Sequence, residues 1–269
     1  MMTRILTSVL ALCAVSSVWT PVSAGPADGV VALEVLPGWR TDNGTHMAGL
    51  RLSLADGWKT YWRVPGDGGI PPRFAWNGSE NLIGVSLHGP TPDVYHINHM
   101  RSIGYEGVVV IPVELAVPNA GAPARMAGQV QIGVCEEICV PVLLNFDAVL
   151  PADGRRDSAI VASLVDRPQT AAEANVTSAT CTIEPTDRGL QVTASIAMPA
   201  MGANEEVVVE AGNQQVWVSE PDTSRNGGTL HATSDMIHVE GGAFALDRSE
   251  VRITVFAGGQ SVDIRGCDA

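Results

Sequence analysis

The sequence predicts an all-β protein built from two β-sandwich domains in series. Short runs in which apolar and polar residues alternate recur along most of the chain, and glycine and proline residues separate them. After the N-terminus, no long segment carries apolar residues at helical spacing. Many short strands with regular turn signals are typical of β-sandwiches.

The first half of the chain contains several candidate strands, at 30–36, 47–55, 107–117, 129–134 and 140–150. The last two alternate apolar and polar residues, which indicates neighbouring antiparallel strands with one buried face. The run at 107–117 contains Pro112. Because proline cannot donate to a strand ladder, we expect an edge strand or a bulge there.

The strand pattern pauses after residue 151, where Asp157 can cap a short helix over 157–165. The apolar side of this helix would consist of Ile160, Val161, Leu164 and Val165. A polar segment of small residues follows at 169–178. We therefore place the first domain at 25–152, a linker with a short helix at 153–178, and the second domain at 179–269.

The second half repeats the strand-and-turn pattern. Its predicted strands are 180–184, 189–198, 206–210, 214–219, 229–233, 236–240 and 251–264. Glycine and proline residues between these runs supply the turns, so a second sandwich is expected.

The first 24 residues have the features of a secretory signal peptide. Arg4 supplies a positive charge, 5–18 is mostly apolar, and Val22-Ser23-Ala24 is a small-x-small cleavage site. The apolar stretch is shorter than the roughly 20 residues that cross a bilayer. We therefore expect export, cleavage near Ala24 and no membrane insertion of the mature chain.

The composition excludes some classes of function. A formal net charge of −13 disfavours binding to nucleic acid or to an anionic membrane surface. Neither a Gly-x-Ser-x-Gly nor a His-Glu-x-x-His motif supports a hydrolase. The single lysine, Lys59, is interpreted as part of a bias toward arginine. We expect no cofactor.

Four cysteines follow the signal segment: Cys135, Cys139, Cys181 and Cys267. An even number in an exported chain suggests two disulfides, for which three connectivities exist. Spacing favours Cys135–Cys139 and Cys181–Cys267. The second pair would enclose nearly the whole second domain and stabilise it by roughly 4–5 kcal/mol in the chain-entropy model, which indicates a structural disulfide.

Cys135 and Cys139 lie at the mouth of the predicted hairpin, with 136–138 as its loop. Facing residues in such a pair have Cα atoms about 4.5–5.5 Å apart, which suits a disulfide. A ring this small adds little loop-closure stabilisation, and strained, exposed disulfides are the labile ones. The pair is therefore a candidate for thiol–disulfide exchange, and a hairpin staple without turnover is the alternative.

Glu136 and Glu137 lie between the two cysteines. Adjacent carboxylates disfavour a thiolate, whereas strongly nucleophilic cysteines have cationic or helix-N-terminal neighbours. These thiols are therefore expected to suit partner-specific exchange better than general reduction.

Three separated segments, 57–72 (GWKTYWRVPGDGGIPP), 103–107 (IGYEG) and 135–141 (CEEICVP), occur in the order found in one protein family. Over about 30–150 the chain resembles the N-terminal periplasmic domain of the DsbD and ScsB disulfide reductases. The resemblance implies an immunoglobulin-like fold and a location in the periplasm. It also implies electron transfer from a thioredoxin-like or membrane-embedded reductase to periplasmic thiol proteins, as a component of a protein-disulfide reductase.

The resemblance further implies roles for individual residues. Cys135 and Cys139 would be the redox pair, and Tyr105 and Glu106 would lie near the thiols, where an acid can help proton transfer. A cap loop that shields the cysteines would lie at about 95–103. It contains His96, His99, Met100 and Arg101.

The sequence also departs from the family pattern. Its cysteine spacing is shorter than in the best-known members, and the cap loop lacks the usual aromatic residue. Neither a membrane domain nor a thioredoxin-like domain follows in this sequence. We therefore expect the electron donor to be a separate protein.

Two other functions compete with thiol exchange. His96, His99 and Met100 precede the thiols, and soft sulfur and nitrogen ligands suit Cu(I), so a copper-binding or copper-tolerance module is one alternative. The other is a non-catalytic interaction scaffold, in which the pair would stay oxidised. Trp58, Tyr61 and Trp62 are interpreted as core aromatic residues.

Overall fold

The computed structural model describes residues 29–98 and 100–269, so the predicted signal peptide and His99 lie outside the described residues. The first sandwich and the helix after it comprise β1 (Val31–Arg40), β2 (His46–Leu54), β3 (Lys59–Gly66), β4 (Arg73–Ala75), β5 (Gly84–Leu87), β6 (Asp93–Ile97), β7 (Met100–Glu106), β8 (Val108–Ala116), β9 (Ala124–Cys135), β10 (Cys139–Leu150) and α1 (Ser158–Val165). The remaining elements are β11 (Gln169–Thr170), β12 (Ser178–Thr186), β13 (Gly189–Ala197), β14 (Glu206–Glu210), β15 (Val216–Val218), β16 (Asp222–Asn226), β17 (Thr229–His238), β18 (Arg252–Ala257) and β19 (Gln260–Arg265).

Each half of the chain folds into an immunoglobulin-like sandwich of two sheets, which confirms the predicted fold class. In the first sandwich, a sheet with the order β1-β2-β8-β5 faces a sheet with the order β10-β9-β3-β7-β6, and β4 pairs with β9. In the second, β11-β19-β18-β14 faces β12-β13-β17-β15, and β16 pairs with β17. Within the described residues, no helix is long and apolar enough to cross a membrane.

Pro112 lies in a strand that has neighbours on both sides, so the predicted edge position is wrong. β8 pairs with β2 through Gly49↔Pro112 and with β5 through Leu87↔Val113. The carbonyl oxygen of Pro112 accepts a hydrogen bond from His88 N at 2.9 Å, just past the end of β5. The missing N–H of Pro112 therefore falls where the neighbouring strand has ended.

Helix α1 packs on the first sandwich. Asp157 caps it by accepting hydrogen bonds from the backbone N–H groups of Ala159 and Ile160. Ile160 is fully buried in an apolar cluster of the first sandwich. Val165, expected on the same apolar side, is 80% exposed because the helix ends there and turns into solvent.

The second sandwich differs from the predicted strand list in three places. β17 is continuous where two strands were expected, and β16 was missed because its sequence is polar and its residues are mostly exposed. The run at 251–264 divides into β18 and β19, because Gly258 and Gly259 adopt φ angles of 57° and 74° and form a tight turn.

The two sandwiches share part of one hydrophobic core. Val208 and Phe256 of the second domain belong to an apolar cluster otherwise formed by the first domain. The Phe256 ring meets Trp62 edge-on, with centroids 5.3 Å apart. Beside them, Arg63 donates hydrogen bonds from Nε and Nη2 to Glu210, at 2.9 to 3.1 Å. The domains therefore lie side by side in contact.

Candidate redox site

The β9–β10 hairpin brings the two cysteines together. Cys135 and Cys139 face each other as the last paired residues of the hairpin, with Cα atoms 4.2 Å apart, and form a disulfide. Glu136, Glu137 and Ile138 form the exposed loop between them. The antiparallel pairing places both sulfurs at the end of the hairpin, where a second protein can approach.

The two sulfurs are not equally accessible. Cys135 is only 3% exposed, whereas Cys139 is an exposed residue at the start of β10. Cys135 ends β9, which is covered by β3 on one side and by β10 on the other. An incoming thiolate would therefore meet Cys139 first.

Tyr61 lies behind the disulfide. Its hydroxyl donates a hydrogen bond to Cys135 Sγ at 2.7 Å and lies 3.1 Å from Cys139 Sγ. Burial raises the pKa of the Tyr61 hydroxyl, so the group keeps its proton at neutral pH. A protonated phenol is a hydrogen-bond donor, and a thiolate is a far better acceptor than a disulfide sulfur.

The Tyr61 ring occupies a slot between two glycines. A methyl group at Gly69 would lie 2.8 Å from Tyr61 Cδ1, and one at Gly133 would lie 3.1 Å from Tyr61 Cδ2. Ile70 also packs beside Gly133. The glycine- and proline-rich loop at 65–72 therefore covers Tyr61, and the absence of side chains at both glycines gives the ring its place.

Lys59 lies directly opposite Cys135. β3 runs between β9 and β7, so Lys59 pairs with Cys135 on one side and with Glu106 on the other. Its Nζ lies 3.7 Å from Glu106 Oε1 and 4.4 Å from the centre of the Tyr95 ring. The chain's single lysine is thus a cation on the same face of the sheet as the redox candidate.

The side chains of Glu106 and Tyr105 point to opposite faces of the sheet. Glu106 shares the face of Cys135 but stands two strands away, about 10 Å at the usual strand spacing, with Lys59 between. Tyr105 points to the opposite face, where its hydroxyl donates to the carbonyl oxygen of Pro90 at 2.9 Å. The expectation that Tyr105 lies near the thiols is therefore wrong, because side chains alternate along β7.

The expected cap loop is a β-hairpin whose side chains reach the second domain. His96 Nε2 lies 2.8 Å from Glu206 Oε1. Arg101 is buried, and its Nη1 donates to the carbonyl oxygen of Val207 at 3.0 Å. Met100 is exposed. The segment that does pack on Tyr61 is the 65–72 loop, whereas 95–103 contributes Tyr95 beside Lys59.

Of the residues expected as alternative metal ligands, His96 and Met100 lie in the described part of the chain. Among the described residues there is no group of three or more His, Cys, Asp or Glu side chains that could hold a metal ion. His96 is paired with Glu206, and His99 lies outside the described residues.

The second disulfide closes the other domain. Cys181 of β12 and Cys267 after β19 are bonded, with Cα atoms 5.6 Å apart, and both are buried. This is the pairing that spacing favours. Because the bond joins the first long strand of the domain to its last residues, it suits a structural role.

Sequence reasoning missed Tyr61 and Lys59 as site residues. Both lie in the 57–72 segment on which the family resemblance rests, and they are two residues apart, so they share a face of β3. The aromatic cluster divides: Trp62 is a core residue, whereas Tyr61 faces the sulfurs. Pairing β3 with the cysteine strand would have revealed this, and the sequence carries no direct signal for that pairing.

The fold and the site define a β-sandwich protein of the thiol–disulfide exchange class. Residues 32–151 match the family described as Thiol:disulfide interchange protein DsbD, N-terminal. The first domain of this chain belongs to that family. Family membership supports thiol–disulfide exchange as the general chemistry of the Cys135–Cys139 pair.

Solved structures resemble the chain to different extents. The crystal structure of the N-terminal periplasmic domain of ScsB from Proteus mirabilis matches with a TM-score of 0.67 and 20% identity, covering 91% of this chain and 96% of that chain. The match shows a shared fold over both sandwiches. The reduced N-terminal domain of DsbD from Neisseria meningitidis covers 48% of this chain and 90% of that chain, with 17% identity and a TM-score of 0.30. No curated protein sequence matches the chain.

Proposed function

We propose that this protein passes electrons between a redox partner and thiol proteins of the periplasm through Cys135 and Cys139. The observation that carries the proposal is the asymmetry of the pair. Cys139 is exposed, whereas Cys135 is buried and accepts a hydrogen bond from Tyr61. Such a pair has one sulfur that a thiolate can attack and one that can leave as a stabilised thiolate.

The oxidised protein would accept electrons in two steps. A donor thiolate attacks Cys139 Sγ, a bond forms between these two sulfurs, and the Cys135–Cys139 bond breaks with its electron pair left on Cys135. The hydrogen bond from Tyr61 and the positive charge of Lys59 stabilise the new thiolate. A second thiolate of the donor then attacks the donor's own bonded sulfur, which releases Cys139 as a thiolate and leaves the donor oxidised.

The reduced protein would pass the electrons on by the same chemistry in reverse. The Cys139 thiolate attacks an acceptor disulfide and forms a mixed disulfide, and one acceptor sulfur leaves as a thiolate. Cys135, as a thiolate, then attacks Cys139 Sγ. The Cys135–Cys139 bond forms again, and the acceptor leaves with both of its sulfurs reduced.

The electron donor in this proposal is a thioredoxin-like or membrane-embedded thiol:disulfide reductase. The family of the first domain supports a thiol–disulfide partner in general. Glu136, Glu137 and Ile138 surround the attack point with two carboxylates and one apolar side chain that is 75% exposed. A partner must match this combination, which favours selective exchange over reduction of any disulfide.

Redox titration with mass-spectrometric thiol counting tests the proposal. We expect Cys135 and Cys139 to equilibrate with a thioredoxin-like reductant while Cys181 and Cys267 stay bonded. A Cys135→Ser variant should trap a partner on Cys139, and Cys139→Ser should not. If the first pair stays closed at potentials that reduce thioredoxin, the protein is an interaction scaffold and the proposal is wrong.

A further inference from the structure

Arg101 of β7 extends from the first domain into the second. Only 7% of the residue is exposed. Its Nη1 donates to the carbonyl oxygen of Val207 at 3.0 Å, its Nε lies 3.1 Å from Glu220 Oε1, and its Nη1 lies 3.7 Å from Glu206 Oε2. A buried guanidinium that loses such partners is strongly destabilised. The second domain therefore fixes the position of Arg101.

The backbone of the same residue holds the start of the 65–72 loop. The N–H of Asp67 donates to the carbonyl oxygen of Arg101 at 2.8 Å, and the N–H of Arg101 donates to Asp67 Oδ2 at 3.3 Å. Gly66 lies against the same carbonyl, and a Cβ atom there would clash with the oxygen, so no side chain fits. The φ of 77° at Gly66 also favours glycine. Where Arg101 lies thus decides where the loop begins.

The far part of the loop covers the redox site. Gly69 and Ile70 pack around the Tyr61 ring and Gly133, two residues before Cys135 on β9. The Tyr61 hydroxyl in turn lies on both sulfurs of the disulfide. A continuous set of contacts therefore runs from the second domain through Arg101 and the loop to the disulfide.

We propose that the second domain is a positioning element of the redox site, which acts through Arg101 to hold the 65–72 loop closed over Tyr61. The contacts themselves stand independently of the proposed function, and their importance for exchange rests on it. Without the anchor, the loop opens, Tyr61 leaves the sulfurs more often, and the thiolate formed on Cys135 during reduction loses its hydrogen-bond donor.

Two variants of the full two-domain chain test this proposal. Arg101→Gln removes the anchor directly, and the double variant Glu206→Gln with Glu220→Gln weakens it from the second domain, together with the contact between Glu206 and His96. In both, we expect amide hydrogen exchange of residues 65–72 to become roughly tenfold faster, since charge-assisted contacts of Arg101 to the second domain are lost. Reduction of Cys135–Cys139 by dithiothreitol should slow severalfold, because the leaving Cys135 thiolate loses its hydrogen bond from Tyr61 more often. The double variant decides the question if Arg101→Gln does not fold.

Two matched controls separate positioning from general loosening. Glu205 is the sequence neighbour of Glu206 but pairs with Arg225 inside the second domain. The hydroxyl groups of Thr91 and Ser261 form a hydrogen bond of 2.9 Å between the two domains, away from the loop. Glu205→Gln and Thr91→Val should leave exchange of the loop amides and the reduction rate unchanged.

The outcomes are decisive in each direction. Unchanged loop exchange in the Arg101 and glutamate variants overturns the proposal, and so does an equal effect in the controls. If the wild-type disulfide resists dithiothreitol altogether, the proposed function fails, but hydrogen exchange of the loop still tests the positioning role of Arg101.

Discussion

The hydroxyl of Tyr61 lies 2.7 Å from the Sγ of Cys135, the buried partner in a disulfide whose other sulfur belongs to the exposed Cys139. In the proposed exchange, a hydrogen-bond donor therefore lies on the sulfur that leaves when Cys139 is attacked. The contact distinguishes two cysteines that the sequence alone does not distinguish.

Tyr61→Phe removes the hydroxyl and keeps the ring in its slot between Gly69 and Gly133. We expect exchange with a dithiol to slow roughly tenfold, because a hydrogen bond to a charged group contributes about 1.5–3 kcal/mol. Stopped-flow fluorescence during reduction measures the rate. Tyr105→Phe is the matched control, since that hydroxyl bonds to Pro90 in the core. An equal loss of rate in both variants would show that only the fold was affected.

Lys59→Met removes the cation opposite Cys135. We expect the pKa of the Cys135 thiol to rise, because a nearby positive charge favours the thiolate. Ultraviolet absorbance of the thiolate, followed against pH in the reduced protein, measures the shift. Lys59→Arg should restore most of it, and Arg51→Met, which breaks an exposed ion pair with Glu34, should have no effect. An unchanged titration in Lys59→Met contradicts the role.

Ile138→Ser makes the loop between the cysteines polar. Its side chain is exposed beside the sulfur that is attacked, so it is suited to pack against a partner protein. We expect slower exchange with a protein reductant and an unchanged rate with dithiothreitol. Val149→Ser, an exposed apolar residue at the far end of β10, should alter neither rate. If both reductants slow equally, Ile138 acts on the disulfide itself and not on docking.

Replacing both Cys181 and Cys267 by serine removes a disulfide whose two cysteines are 86 residues apart in the sequence. The chain-entropy model gives a loss of about 4–5 kcal/mol in the free energy of unfolding, compared with about 2 kcal/mol for the small Cys135–Cys139 ring. Urea denaturation of the two double variants measures both losses. A larger loss for the small ring would reverse the assignment of structural and reactive disulfides.

His46 should make the protein less stable in weak acid. The ring is buried, its Nε2 donates to the carbonyl oxygen of Pro37 at 2.6 Å, and burial lowers the pKa of His46 below 6.5. As the pH falls below about 6.5, the unfolded chain takes up a proton that the folded protein does not, so the free energy of unfolding decreases until the folded pKa is passed. Urea denaturation between pH 5 and pH 8 should show a smaller decrease in His46→Gln. An identical slope in both proteins would exclude His46 as its source.

Local patterns predicted the parts of the fold that depend on neighbouring residues. Alternation at 129–134 and 140–150 gives the β9–β10 hairpin, and the five-residue ring of Cys135 and Cys139 follows from it. Asp157 as a helix cap is equally local. Where the sequence misled, a distant strand decides the outcome: Pro112 is accommodated in an interior strand because β5 ends beside it.

The candidate site shows the same division. The cysteine pair is a local motif, whereas Tyr61 reaches it only because β3 pairs with β9 across more than 70 residues of sequence separation. Lys59 and Glu106 come together because β3 also pairs with β7. Arg101 was expected to shield the cysteines, but its partners lie more than 100 residues later in the chain. Side-chain roles that depend on which strands are neighbours are not encoded in spacing.

Val208 and Phe256 of the second domain insert into the apolar cluster of the first domain, so the two domains share buried surface. Heating should therefore unfold both domains in one transition, since unfolding of either one exposes buried side chains of the other. A partner protein therefore meets two domains that are held in contact by shared apolar packing. Separating the two domains would leave an exposed apolar surface on each of them.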